Sequence, residues 1–140
     1  MLIVVDTNVF VGACLGLGAC SRVIAACIQG RHMPLMGSTL LTEYEDVLSR
    51  HPLFACSRLD DRERQELLDI FLSNCRWIRV YYAWRPNLPD EGDNHLFELA
   101  IAGNAQAIVS RNLRHLRQGQ LHFPDLRLLS PEQFSKEFPP

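Results

Sequence analysis

Residues 2–5 read Leu2-Ile3-Val4-Val5, and Asp6 follows at once. A short unbroken apolar run containing two valines and an isoleucine is the pattern of a strand buried on both faces, as in a parallel sheet covered by helices. Four further runs read the same way: Met33–Met36, 77–81, Ala107–Val109 and 126–129. Helical patterns lie between them. Ser21 is the predicted N-cap of a helix whose Val23, Ile24, Cys27 and Ile28 share one face, with Gly30 placed to end it. The next helix, over 39–50, sets Leu40, Leu41, Tyr44, Val47 and Leu48 on one arc, and a third over 60–72 turns Leu67, Leu68, Phe71 and Leu72 inward. A fourth spans 93–103. Ser130, Pro131 and Gln133 form the start of a capping box for a short last helix. Strands alternating with helices predict an α/β fold, and 140 residues predict a single domain over 1–140.

Composition narrows the function classes. A 47% hydrophobic and 21% charged chain is that of an ordinary globule, neither disordered nor collagen-like. No apolar run reaches the ~18 residues of a spanning helix, so no membrane partner is expected. The first residues lack a basic region before a hydrophobic stretch, which makes the cytoplasm the expected location. Five cysteines without a C-x-x-C pair suggest inert, buried thiols rather than a disulfide framework or a zinc ribbon. The five histidines show no zinc-ligand spacing and read as surface or polar-network residues. A net charge of −2 does not mark a nucleic-acid binder, so any such role needs a local basic patch. Arg111, Arg114 and Arg117 follow the fourth strand at helical spacing. They read equally as a solvated helix face and as a place for phosphates to dock. Trp84 could stack on a base or plug its loop against the body.

Three carboxylates stand where chemistry is usual. Asp6 lies just past the carboxyl end of a strand, the ligand-binding edge of open α/β sheets, although an aspartate there also serves as a helix cap or turn residue. Asp93, if already helical, shares a face with Leu96, Phe97 and Ala100, and a carboxylate on an apolar face needs a partner or a metal. If it is instead the N-cap, the backbone satisfies it; Asp90 is an alternative cap. Glu43 and Glu45 border opposite edges of the second helix's apolar arc, and spacing alone reads Glu43 as solvated.

Together, "VVDTNVFVGA" at the start, "STLLTEYEDVL" in the second helix and "LPDEGDNHLFELAIAGNAQAIVSRNLRHL" toward the end give the chain a resemblance. It resembles a PIN-domain ribonuclease, in particular the bacterial toxin-like branch, over nearly its whole length. The resemblance implies a Rossmann-like three-layer α/β/α sandwich with a central parallel sheet of about five strands. It implies an acidic cluster that binds Mg²⁺ or Mn²⁺ and cleaves RNA, often as the toxin of a toxin–antitoxin pair. A homodimer and a cognate antitoxin protein are the implied partners. Asp6, Glu43 and Asp93 match the three acids of the family pattern, the implied catalytic and metal-binding residues, and Asp90 matches an accessory acid. Thr7 and Asn8 match the polar pair after the first acid, and Ser110 the Ser or Thr after the fourth strand. With Arg111, Arg114 and His115 these are the residues expected to meet substrate. Asn112 stands where many relatives carry a fourth aspartate, and His115 where another is common. The departure implies a metal site that binds more weakly. A catalytically weak or inactive PIN-like module that docks RNA or a protein is the competing reading.

Other motifs carry less. "GLGACS" at 16–21 begins ten residues after the first strand, and the second strand lacks the acid a dinucleotide site would need, so its glycines read as loop residues. A phosphoaspartate hydrolase would want an aspartate where Asn8 stands.

Overall fold

The structure, a computed structural model, describes residues 1–80 and 94–139, and residues 94 and 118–122 by their backbone alone. Its strands are β1 (Leu2–Val5), β2 (Met33–Met36), β3 (Arg76–Trp77), β4 (Ala107–Val109) and β5 (Arg127–Leu129). Every pairing is parallel, in the order β3-β2-β1-β4-β5. The helices among the described residues are α1 (Thr7–Cys14), α2 (Gly18–Ile28), α3 (Ser38–Leu48), α4 (Asp61–Ser73), α5 (Asn94–Ala102), α6 (Leu113–His122) and α7 (Pro131–Glu137).

The chain steps outward from β1 to β3, then crosses back to β4 and continues to β5. Right-handed crossovers in that order cover both faces of the sheet with helices. Helix α2 packs against α1, α4 and α7, while α5 lies on β1, β2 and β4, giving the three-layer α/β/α sandwich that the resemblance implies. The two central strands are sealed: Ile3, Val4, Ala107, Ile108 and Val109 expose nothing. Because Val5 pairs with Val109, the next residues, Asp6 and Ser110, emerge side by side at the carboxyl edge. The Asp6 amide continues the ladder to the Val109 carbonyl at 3.0 Å.

Helix α1 begins directly after Asp6, a helix to which the sequence reading gave no element. Thr7, Val9, Phe10, Gly12 and Cys14 are all buried, so α1 has little polar face and shows no clear period. Ser21 does not cap α2 but lies inside it; the helix starts at Gly18 behind Leu17, whose side chain makes no capping bond. Gly30 ends that helix in the left-handed region at φ 80°, as expected. Gly16, also left-handed at φ 88°, lies under Arg58, which a Cβ would meet at 2.7 Å. Strand β3 is shorter than 77–81, and residue 81 lies outside the described residues. The capping box at Ser130 and Gln133 is present, and Asp60 and Glu63 form a second one at the start of α4. Cys14, Cys20 and Cys27 are buried thiols, but Cys56 is exposed. His32 packs edge-on against Phe134 and Phe138. Among the described residues no single helix is long and apolar enough to cross a membrane.

One side chain fixes α3 against the sheet. Tyr44 is 1% exposed, its ring packs on Phe10 and Phe71 at 5.6 and 6.0 Å, and its hydroxyl donates to the Val5 carbonyl at 2.6 Å. Burial holds the phenol well above its ordinary pKa, so it stays a donor. Tyr44→Phe keeps the packing and removes that donor. We expect it to lower unfolding free energy by about 1–3 kcal/mol, the cost of stranding a buried acceptor, in urea titrations.

Candidate functional site

The site grows from the turn that follows β1. Asp6 has extended backbone angles (φ −67°, ψ 151°) and caps α1: its Oδ1 accepts from the Thr7 amide at 2.8 Å. Thus the capping role and the site position coincide in one residue. Its other oxygen accepts from the Ser110 hydroxyl at 2.8 Å and the Asn8 amide group at 3.3 Å. Ser110 Oγ in turn accepts from Asn8 Nδ2 at 3.2 Å and from the Asn112 backbone amide at 3.0 Å, and Asn8 Oδ1 accepts from the Arg111 amide at 3.0 Å. These bonds tie the turn after β1 to the turn after β4. Strand order reverses between these two strands, leaving the crevice in which open α/β sheets bind ligands.

Glu43 reaches this edge from α3. The Thr7 hydroxyl lies 3.1 Å from Glu43 Oε1 and 3.4 Å from Asp6 Oδ1, so one hydroxyl stands between two carboxylates. The other Glu43 oxygen meets His95 Nε2 at 2.6 Å. Glu43 is thus half-exposed, as its place at the edge of the apolar arc allows, yet it bonds to Thr7 and His95, whereas Glu45 and Asp46 are exposed. His95 is the site neighbour that sequence reasoning left among the polar-network histidines. The available signal was a polar ring in the first turn of an otherwise mostly apolar helix.

The electrostatics of the pair are asymmetric. Burial pushes the Asp6 carboxyl above its ordinary pKa, and the Glu43 charge adds to this against the bonds from Ser110 and Thr7. The hydrogen bond from His95 holds Glu43 below its ordinary value despite partial burial. A buried acid and an ionised one, brought together through the Thr7 hydroxyl, are oxygen ligands of the kind that hard divalent cations take.

The other expected site residues are placed as follows. Thr7, Asn8 and Ser110 bond to the acids and to one another. Arg111 and Asn112 enter the network through their backbone amides and are exposed. Arg114 and His115 lie exposed on α6, as does Arg117; Arg111 precedes the helix, so the three arginines do not share one helical face. Asp90, Asp93 and Trp84 lie outside the described residues. Among the described residues no group of three or more His, Cys, Asp or Glu side chains could hold a metal ion.

A family profile described as PIN domain matches residues 2–114. The chain belongs to the PIN domain family. Among solved structures it is similar to VapBC2 from Rickettsia felis bound to a DNA fragment from their promoter, at 19% identity and a TM-score of 0.60. That alignment covers 93% of this chain and 98% of the other, and shows a shared fold. Comparison with characterised proteins by sequence gives no match. In this PIN domain Asp6 thus joins the first strand to the first helix, and Thr7 and Asn8 open that helix.

The two acids predict opposite pH slopes. Asp6 binds its proton more tightly folded than unfolded, so its contribution declines as pH rises from the ordinary carboxylate range through its raised value. Glu43 contributes stability that is lost as pH falls through its lowered value. Asp6→Asn keeps a capping oxygen and removes the charge. We expect its stability relative to the parent to increase as pH is raised from 4 toward 7 in urea titrations, at about 0.1 M salt.

Proposed function

We propose that this PIN domain is a single-domain, metal-dependent endoribonuclease that acts as the toxin of a toxin–antitoxin pair. The observation that supports catalysis best is the convergence of Asp6 and Glu43 on the Thr7 hydroxyl at the strand-order reversal. In this reading Asp6, Glu43 and Asp93 hold one Mg²⁺ or Mn²⁺, with Asp90 accessory and Asn112 in the place of a further acid. The bound ion supplies Lewis-acid polarisation of the phosphodiester and a nucleophilic water at neutral pH. The protein's own work is to present the oxygens without rearrangement. Asp6 is oriented by three donors, Thr7 N, Asn8 Nδ2 and Ser110 Oγ, with the Thr7 hydroxyl shared between it and Glu43. The exposed Arg111, Arg114 and His115 are the groups that meet RNA phosphates, where guanidinium groups offer paired donors.

The fold shared with VapBC2 supports a protein antitoxin as partner. Exposed Leu17, Ile70, Trp77 and Ile101 offer apolar surface for that partner or for a second copy in a homodimer. The expected location is the cytoplasm. Asn112 and His115, at positions where the family resemblance implies acids, favour the second reading of a module that binds without cutting.

A cleavage assay separates the two. With purified protein, Mn²⁺ and a mixed RNA substrate, we expect cleavage that Asp6→Asn and Glu43→Gln each reduce by more than about 100-fold, since electrostatic groups in such sites carry several kcal/mol. Asn112→Asp should tighten Mn²⁺ binding in calorimetry. No cleavage by the parent together with retained RNA binding supports the non-cutting module; equal cleavage by all variants places the activity elsewhere.

A further inference from the structure

Glu43 has three rotatable side-chain bonds and an outward-facing position on α3, with 38% of its side chain exposed. Left alone, such a side chain samples several rotamers, and fixing one costs about 1.5–2 kcal/mol of entropy. Here both of its oxygens are already taken by donors from other elements: Oε1 by the Thr7 hydroxyl at the start of α1, Oε2 by His95 Nε2 in the first turn of α5. These donors differ in rigidity. Thr7 Oγ also lies 3.4 Å from Asp6, so its single proton is shared between two acceptors. The His95 contact, at 2.6 Å, is the short one.

The imidazole is held by a firm support. Only 13% of its side chain is exposed, and Leu96, Phe97, Glu98, Leu99 and Ala100, the residues that follow it, are all buried. Helix α5 lies on three strands of the sheet, so its first turn cannot shift without disturbing the core. His95 Nδ1 is enclosed and has no hydrogen-bond partner among the described residues, leaving Nε2 as the ring's bonding group. His95 and Glu98 line a cavity of about 10 Å³ together with Gly37 and Ser38 at the start of α3.

We infer that His95 is a positioning residue: by donating from Nε2 to Glu43 Oε2 it holds the Glu43 carboxylate beside the Thr7 hydroxyl that it shares with Asp6. The inference rests on the nuclease reading for its purpose but not for its geometry. Histidine suits the role because its ring has only two side-chain torsions and reaches from a buried helix to a half-exposed carboxylate. Outer groups that orient a ligating carboxylate typically change metal affinity 10–100-fold when removed.

The experiment has two readouts on the full chain, with folding verified by thermal melts. The first needs no metal: side-chain ¹³C relaxation and three-bond couplings of Glu43 in parent, His95→Ala and His95→Gln. We expect one ordered rotamer in the parent, averaging in His95→Ala, and a return toward order in His95→Gln, whose amide can donate to the same oxygen. The second is Mn²⁺ affinity by calorimetry, expected to fall about tenfold in His95→Ala and to recover in His95→Gln. In a Glu43→Gln background, His95→Ala should change Mn²⁺ affinity little. A Glu43 side chain equally ordered in the parent and His95→Ala overturns the positioning role. Equal Mn²⁺ affinity in a parent and His95→Ala that both bind the ion does so too. A parent that binds no Mn²⁺ overturns the nuclease reading instead, and the metal-free measurement still decides the role of His95.

Discussion

The hydrogen bond from the Tyr44 hydroxyl to the Val5 carbonyl joins helix α3 to the end of strand β1. The neighbours of these two residues, Glu43 and Asp6, therefore meet. The bond is buried, its donor cannot ionise near neutrality, and the ring that carries it packs among Phe10 and Phe71. A site assembled from two elements distant in sequence needs such a fixed point, because carboxylates that repel each other will otherwise separate. Packing of the core thus holds the charges together, and the network around Thr7, Asn8 and Ser110 then sets their directions.

The second constraint is topological. Strand order reverses between β1 and β4, so the turns leaving these neighbouring strands diverge to opposite faces and leave an opening at the carboxyl edge. Asp6 and Ser110 stand at its two sides, joined by one hydrogen bond. Burial raises the Asp6 pKa while His95 lowers that of Glu43, so the opening combines an acid reluctant to ionise with one that does so readily. A cation would relieve the first and use the second.

Much of the fold was legible because the central strands have no alternative reading. Leu2–Val5 and Ala107–Val109 are too short for helices and too apolar for loops, and they lie where the sequence puts them. Helix α1 was hidden by the very burial that stabilises it, since a helix enclosed on most sides loses the polar stripe that reveals its period. Ser21 misled because a good capping residue inside a helix looks the same in sequence as one at its start, whereas Leu17 gives no signal. For the site, Asp6 was legible from its place after a strand. Glu43 could not be separated from Glu45 by spacing, because the choice rests on how α3 docks on the sheet, where Tyr44 bonds to Val5. His95 depends on a contact between α3 and α5, a tertiary fact to which helical periodicity is blind.

The central claim is that Asp6 and Glu43 are arranged to share a divalent cation. Crystals soaked in Mn²⁺ and measured at a wavelength where manganese scatters anomalously test it most directly. The account predicts an anomalous peak within about 2.0–2.4 Å of an oxygen from each of Asp6 and Glu43, the range in which such hard cations meet oxygen. A peak bound elsewhere, with the Thr7 and His95 contacts to Glu43 undisturbed and the crevice empty, would contradict it.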